Sequence, residues 1–156
     1  YHHLHFKNIV AEPVLREKMF LIQAADTELK KPIIYTDELD PEREIFVSWE
    51  ANYQIWHDQW VGKGERPRLQ VDTFELLFHL LSSEKMWAIA PVSVVDRIRS
   101  LRPVYVSEIG NPIQPPERIT YKIKHKYPNE ATLKAVQLFE DKMDEYLRER
   151  DWGYVG

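Results

Sequence analysis

Histidine is the residue type in this 156-residue sequence that is best suited to metal binding or proton transfer, and three of the six histidines stand together as His2, His3 and His5. In a strand, His3 and His5 would share one face and could supply two ligands to a metal ion. The neighbouring sequence offers no Asp or Glu to complete such a site. We therefore interpret the three histidines as ordinary strand residues and predict no metal site.

The sequence also lacks the patterns of an active site. His57 and His79 lie in predicted helices, and neither stands in a pattern that resembles a catalytic triad. Asp58 follows His57 directly, but adjacent residues on a helix point in different directions. The chain has no cysteine, no glycine-rich nucleotide-binding motif and no nucleophile elbow. We predict no catalytic residue and no cofactor, and therefore no enzyme.

Composition and charge restrict the class of partner. Hydrophobic residues make up 44% of the chain and charged residues 29%, which is typical of a globular domain. The net charge is -4, whereas a domain that grips nucleic acid normally carries clustered Lys and Arg. We therefore expect no direct contact between this chain and DNA.

Two features of the sequence bear on location and completeness. No apolar run approaches the roughly 20 residues that span a bilayer, and no signal-peptide pattern opens the chain. We therefore expect a cytoplasmic protein that does not bind a membrane. The chain begins at Tyr1 inside an extended segment, which indicates a fragment, because a domain that starts within a strand leaves a sheet edge unpaired.

The elements that would position a site alternate between strands and helices. Apolar or alternating runs predict strands at 13–15, 19–23, 45–49, 68–71, 86–91, 104–106 and 118–124. Apolar stripes and capping residues predict helices at 51–62, 73–82, 93–99 and 129–150. This order indicates the α/β class, with a parallel sheet flanked by helices.

Some positions within these elements are predicted individually. The inward stripe of the first helix is Tyr53, Ile55, Trp56 and Trp60. The inward face of the last strand is Ile119, Tyr121 and Ile123, and the inward stripe of the last helix is Leu133, Val136, Phe139, Met143, Tyr146 and Leu147. Asp72 is predicted to cap the second helix, with Glu75 three residues later completing a capping box.

Candidate ligand-binding residues come from a topological rule. In parallel sheets, ligands bind beyond the carboxyl ends of strands, next to helix N-termini. This rule selects Ser48 and Trp49, and also the junction from Val71 to Phe74, where Thr73 adds a hydroxyl. An anionic ligand would suit that junction, and a plain structural cap at Asp72 explains it equally well. The tryptophans could line a cleft or fill the core; Trp49, at a strand end, is the best placed of them for a pocket.

Six stretches of the sequence carry a family resemblance through their order and spacing. They are Glu12–Ile22, Leu39-Asp40 followed by Ile45–Val47, Val71–Leu77, Trp87–Pro91, Arg118–Ile123 and the last helix through Phe139 and Leu147. Together they resemble the C-terminal effector-binding domain of LysR-type transcriptional regulators. One departure is that Glu84, Lys85 and Met86 replace the glycines that usually precede the fifth strand, which makes this turn less permissive.

The resemblance implies a two-lobed fold like that of periplasmic binding proteins, with Rossmann-like sheets flanked by helices. Residues 1–23 and 102–156 would form an incomplete first lobe, and residues 24–101 the second lobe. A small-molecule effector would bind between the lobes. Carried over by position, the residues facing this cleft are Val47, Ser48, Trp49, Asp72, Thr73 and Phe74, with Pro91 and Val92 close by.

The same resemblance implies partners for the whole protein. A homodimer or tetramer would contact promoter DNA through a winged helix-turn-helix that is absent from this chain. An incomplete lobe should expose apolar surface, so we expect self-association. The alternative is a solute-binding protein of a transporter; an enzyme on a similar fold, such as a deaminase-like or aminotransferase-like fragment, would need a reactive Cys or a Lys in an apolar cleft.

Overall fold

The computed structural model describes residues 8–62, 67, 69–82 and 85–156, so His2, His3, His5 and Glu84 lie outside the described residues. The chain divides into two compact units. The larger unit comprises residues 18–118, and the smaller unit comprises the residues up to 17 together with 119–156.

The predicted elements occur in the predicted order, and one further strand, Ile33–Ile34, was not predicted. The strands are β1 (Ile9–Glu17), β2 (Met19–Ala24), β3 (Ile33–Ile34), β4 (Phe46–Val47), β5 (Gln70–Val71), β6 (Trp87–Pro91), β7 (Val104–Ile109) and β8 (Arg118–His125). The helices are α1 (Ala51–Trp60), α2 (Phe74–Leu80), α3 (Val92–Leu101) and α4 (Glu130–Arg148). Short 3-10 turns at Thr36–Glu38 and Pro41–Arg43 precede β4. The α/β class is confirmed.

The larger unit is built on a four-stranded sheet in the order β3-β7-β2-β6. Strand β3 runs parallel to β7, whereas β2 runs antiparallel to both of its neighbours, β6 and β7. A parallel pair, β4 and β5, continues beyond β6 through a parallel bridge between Glu44 and Trp87. The sheet of the larger unit is therefore parallel except for β2, whereas the prediction was a parallel sheet throughout.

Apolar residues on both faces of the sheet make the core of the larger unit. One cluster joins Leu21 and Ile89 of the sheet to Tyr53 and Trp56 of α1. The other cluster joins Ile22 and the alternate residues of β6 to α2 and α3. Because neighbouring residues of a strand point to opposite faces, α1 covers one face and the other two helices cover the other.

Two predictions about the helices of this unit are wrong. Ile55 was predicted to face inward but is 70% exposed, whereas His57, which was not predicted in the stripe, is buried. The N-cap of α2 is Thr73, whose hydroxyl accepts a hydrogen bond from the backbone N–H of Leu76 at 3.3 Å. Asp72 lies one residue before the cap and is exposed.

The smaller unit leaves its predicted inward faces uncovered. Strands β1 and β8 form a two-stranded sheet, and β8 alternates as predicted, but Tyr121 and Ile123 are 44% and 54% exposed. On the opposite face of β8, Lys122 and Lys124 pair with Glu140 of α4. Burial alone would raise the pKa of Glu140. The hydrogen bonds and positive charges of the two lysines outweigh this effect, so the pKa of Glu140 lies below its ordinary value.

The stripe of α4 is likewise only partly buried. Leu147 packs with Val14 and Leu15 of β1, and Met143 packs against this cluster. Other members of the predicted stripe are exposed, namely Leu133, Phe139 and Tyr146. The prediction that this stripe faces inward is therefore correct only near the C-terminal end of the helix.

The last residues of the chain lie along the edge of β1. The N–H of Arg16 donates to the carbonyl of Gly153, and the N–H of Val155 donates to the carbonyl of Val14, each at 2.9 Å. Gly153 has a φ of 79°, and a Cβ at this position would overlap the carbonyl oxygen of Arg16. Only glycine fits this combination of backbone conformation and close approach.

We expect Gly153→Ala to lower the free energy of unfolding by about 1–3 kcal/mol, because the variant combines an unfavourable φ with a backbone clash. Gly62→Ala is the matched control: Gly62 has a φ of 64°, but the nearest atom to a Cβ there is 3.9 Å away. Urea unfolding of both variants measures the difference. An equal loss in the two proteins would show that the contact with Arg16 does not matter.

A second strained position lies in the turn before β6, where this chain has other residues in place of the glycines that are usual in the family it resembles. Lys85 has a φ of 66°, and it is the one described non-glycine residue with a positive φ. The left-handed conformation costs an L-residue about 1–2 kcal/mol, a cost that glycine does not carry. The sequence predicted that this turn tolerates fewer backbone conformations than one made of glycines. The structure locates the resulting strain at Lys85.

We expect Lys85→Gly to raise the free energy of unfolding by about 1 kcal/mol, because the strain is removed. Lys30→Gly makes the same chemical change at another exposed loop residue, whose φ is not positive. This control should give no gain, because glycine there only adds freedom to the unfolded chain. Thermal or urea unfolding measures both, and equal effects would refute the assignment of strain to Lys85.

Candidate functional site

The structure brings the predicted ligand-binding segments to one edge of the sheet. Val47 pairs with Val71 in parallel register, so the segments that follow β4 and β5 leave the sheet side by side. Strand β6 runs parallel to the chain at Glu44, so Pro91 and Val92 come at the same end. The predicted residues therefore share the carboxyl edge, the usual place for ligands in such sheets.

The individual side chains differ in how accessible they are. Ser48, Asp72 and Thr73 are exposed, whereas Val47, Trp49, Phe74 and Val92 are half-buried. Pro91 is fully buried and pairs with Met19 across the sheet. Phe74 stacks on Phe78 with ring centroids 6.0 Å apart, and the guanidinium of Arg102 lies 3.9 Å from the ring of Phe78.

A shallow, open crevice lies on the surface of the larger unit, beside the N-terminus of α1. Its lining residues are Met19, Trp49, Glu50, Asn52, Tyr53, Pro116, Glu117 and Arg118. Met19 and Tyr53 are buried and form its apolar base. Of the predicted ligand-binding residues, only Trp49 lines this crevice.

The remaining lining residues were missed at the sequence level for two reasons. Residues 50–53 form the start of a helix that follows a strand. The same feature led to the selection of residues 71–74, so the rule could also have identified residues 50–53. Pro116, Glu117 and Arg118 come from the segment before β8, far away in sequence, and only the folded chain places them next to Trp49.

Trp49 is held in one orientation. Its indole Nε1 donates a hydrogen bond to the carbonyl of Ile89 at 2.9 Å, which ties the ring to β6. The guanidinium of Arg118 lies 5.2 Å from the ring centroid. A cation over an indole face at a partly exposed site contributes about 0.5–1 kcal/mol, so this contact is weak enough for a ligand to rearrange.

The charges around the crevice are of both signs. Glu50 precedes α1 as its N-cap residue, and its side chain makes no capping hydrogen bond to the helix. The amide oxygen of Asn52 accepts from the N–H of Tyr53 at 2.9 Å. The positive end of α1 and the guanidinium of Arg118 favour an anion here, and the carboxylates of Glu50 and Glu117 oppose one.

Next to Tyr53, which lines the crevice, His57 of α1 belongs to a buried polar pair. The Nε2 of His57 lies 2.5 and 2.9 Å from the two carboxylate oxygens of Glu44, and both side chains are almost completely buried. Burial raises the pKa of the neighbouring Tyr53 well above its ordinary value, and the charge of Glu44 adds to this effect. His57 is thus a core histidine with a carboxylate partner rather than a residue open to substrate.

Two further searches of the described part of the chain concern metals and membranes. No three His, Cys, Asp or Glu side chains lie close enough there to hold a metal ion. Among its helices, none combines the length and the apolar character needed to cross a bilayer.

Comparison with known proteins gives matches among solved structures, while no family model and no curated protein sequence matches the chain. The effector-binding domain of QuiR in complex with shikimate matches with a TM-score of 0.63 and 18% identity, over 96% of this chain and 70% of that chain. The reduced OxyR regulatory domain from Pseudomonas aeruginosa matches with a TM-score of 0.65 and 14% identity, over 89% and 66%.

A third match is the C-terminal domain of a probable LysR family transcriptional regulator from Rhodococcus sp. RHA1, with a TM-score of 0.56 and 13% identity, over 83% of this chain and 65% of that chain. The chain thus spans about two thirds of the length of these regulatory domains. The protein has the fold of the effector-binding domains of LysR-family transcriptional regulators.

Proposed function

We propose that this chain is the effector-sensing part of a LysR-type transcriptional regulator and that it has no catalytic activity. The observation that carries the proposal is the fixed indole of Trp49 with a guanidinium beside it, at the carboxyl edge of a sheet whose fold is that of effector-binding domains. The matched structures are regulators, and one of them was determined with shikimate.

The proposed effector site combines the predicted residues with the crevice. Val47, Ser48, Trp49, Asp72, Thr73 and Phe74 would face the effector, with Pro91 and Val92 close by. Arg118 and Asn52 would extend this surface at the N-terminus of α1. A flat ring on the indole of Trp49 and a carboxylate on the guanidinium of Arg118 would satisfy both groups, so a small planar carboxylate is the effector class we propose.

The effector would act through the whole protein. Binding would shift the population between two conformations, and coupling of about 1–3 kcal/mol suffices to change how a dimer or tetramer contacts its promoter. The DNA contact would belong to a winged helix-turn-helix outside this chain. A cytoplasmic location follows from this role.

The lobe assignment is also a proposal. Residues 24–101 would be the second lobe, and residues 1–23 with 102–156 would belong to an incomplete first lobe. In the structure, β2 and β7 pair with each other inside the larger unit, whose bounds are 18 and 118. The exposed apolar residues of β8 and α4 support the incompleteness of the first lobe, because such faces are normally covered in a complete domain.

Effector binding can be tested by a thermal-shift screen of small carboxylates, followed by titration of the best ligand. We expect Arg118→Met to weaken the binding of that ligand about tenfold, because the variant removes a charge-assisted hydrogen bond. Trp49→Phe should weaken it less, since it keeps an aromatic face. Arg97→Met, on the exposed surface of α3, is the matched control and should bind like the parent. Equal binding by all three variants would place the effector elsewhere.

Self-association tests the incomplete first lobe. We expect sedimentation equilibrium to show concentration-dependent association, because Tyr121, Ile123 and Phe139 expose apolar surface. Ile123→Lys should weaken the association without loss of stability, since this side chain is already 54% exposed. Ile55→Lys changes an exposed isoleucine of the larger unit and should leave the association unchanged. A strictly monomeric protein at high concentration would contradict the proposal.

A further inference from the structure

Glu44 and His57 are two titratable side chains of opposite type that are buried against each other in the core of the larger unit. The side chain of His57 is 2% exposed and that of Glu44 is 4% exposed. Both carboxylate oxygens of Glu44 lie within 2.9 Å of Nε2, so the ring and the carboxylate share a proton position. No step of effector binding requires a proton here, which leaves the pair unexplained by the proposed function.

The surroundings of the imidazole are apolar on its faces and acidic on both of its nitrogen edges. The ring of Phe46 lies 4.5 Å from that of His57, and the ring of Tyr53 lies 6.0 Å away. The Nδ1 of His57 is buried without a hydrogen-bond partner among the described residues. The nearest carboxylate oxygen on that side belongs to Asp58, 3.9 Å away, which is too long for a hydrogen bond.

The other titratable and charged groups near the pair do not neutralise it. Tyr53 stays an uncharged phenol, because burial and the charge of Glu44 both raise its pKa. Asp40 and Arg43, on the turn before Glu44, pair with each other at 3.8 Å and are exposed. The neighbouring residue across the bridge from Glu44 is Trp87, which carries no charge.

One proton therefore changes the charge of this buried site. With an imidazolium and a carboxylate, the pair is neutral overall, and opposite charges attract strongly in a low-dielectric interior. With a neutral ring, the carboxylate of Glu44 keeps an uncompensated negative charge, and burying such a charge is costly. The attraction between the two elements that carry the pair must differ between these two states.

Those two elements are the walls of the Trp49 crevice. Glu44 begins the segment that continues through β4 to Trp49, while His57 lies on α1, one turn after Asn52 and Tyr53. The pair joins this segment to the helix through the contact between Nε2 and the carboxylate. A change in how firmly α1 is held would alter the positions of Tyr53 and Trp49 relative to each other.

We propose that Glu44 and His57 form a proton-operated latch, in which protonation of the pair tightens α1 against β4 and so adjusts ligand binding at the Trp49 crevice. The link to ligand binding rests on the proposed function, whereas the latch itself does not. The device would make ligand binding depend on pH as well as on the concentration of the effector.

Hydrogen exchange on the full chain tests the latch without any ligand. The comparison covers the whole pH range over which the chain stays folded. We expect the protection of the α1 amides, relative to those of α3, to increase several-fold as the pH falls across this range. Glu44→Gln should abolish this dependence, because it keeps the shape of the side chain and removes its charge.

A histidine control separates the pair from the rest of the chain. His79→Gln and His125→Gln change exposed histidines and should retain the dependence of the parent protein. Should Glu44→Gln not fold, the Cε1–H signal of His57 in the unmodified chain serves instead, and it should move with pH together with the α1 amides. A pH-independent α1, or a dependence that Glu44→Gln keeps, overturns the latch.

Binding measurements then separate the latch from the proposed function. If a carboxylate from the screen binds, its affinity should change with pH in the parent protein and stay constant in Glu44→Gln. If α1 responds to pH but affinity does not, the coupling to the crevice is refuted. If α1 responds and no carboxylate binds to any form of the chain, the latch stands and the proposed effector class fails.

Discussion

Strand β2 is covered by apolar side chains on both faces, and the arrangement of the larger unit follows from that constraint. Leu21 and Ile22 are completely buried although they point in opposite directions. A strand of this kind is stable only at the centre of a sheet with a helix layer on each side. Helix α1 supplies one layer and α2 with α3 the other. Strands β4, β5 and β6, which precede these three helices, run parallel and end at the same edge of the sheet. This edge carries the candidate site.

The elements that local chemistry determines could be predicted from the sequence. Continuous apolar runs marked β2 and β6, and Asn129 marked the start of α4, where its side chain accepts from the N–H of Thr132 at 2.8 Å. The buried side of α1 could not be predicted in full, because the Nε2 of His57 pairs with a carboxylate 13 residues earlier in the sequence. A pattern that counts only apolar residues places Ile55 on the buried side of α1 and leaves His57 out. Only the folded chain brings the carboxylate of Glu44 next to the imidazole of His57.

The smaller unit shows a different reason for failure. Alternation in β8 correctly predicted which residues share a face, and the apolar stripe of α4 was correctly located along the helix. Such patterns report which face is suited to burial, but they do not say whether the chain provides a layer to cover it. Tyr121 and Phe139 are exposed because the described residues offer no partner for them. Lys122 and Glu140, on covered surface, carry the packing of α4 on β8 instead.

The same edge of the sheet offers two helix N-termini, and they are not equivalent as ligand sites. Helix α2 is seven residues long, Thr73 caps it, and Phe74 is engaged by Phe78. Helix α1 is ten residues long, its N-cap side chain makes no capping hydrogen bond, and Arg118 adds a cation next to a fixed indole. Exchanging the Arg118–Trp49 contact for a ligand costs little, whereas displacing Thr73 would leave the N–H of Leu76 without its partner. This difference favours the α1 side, where Trp49 is the predicted ligand-binding residue that lines the crevice.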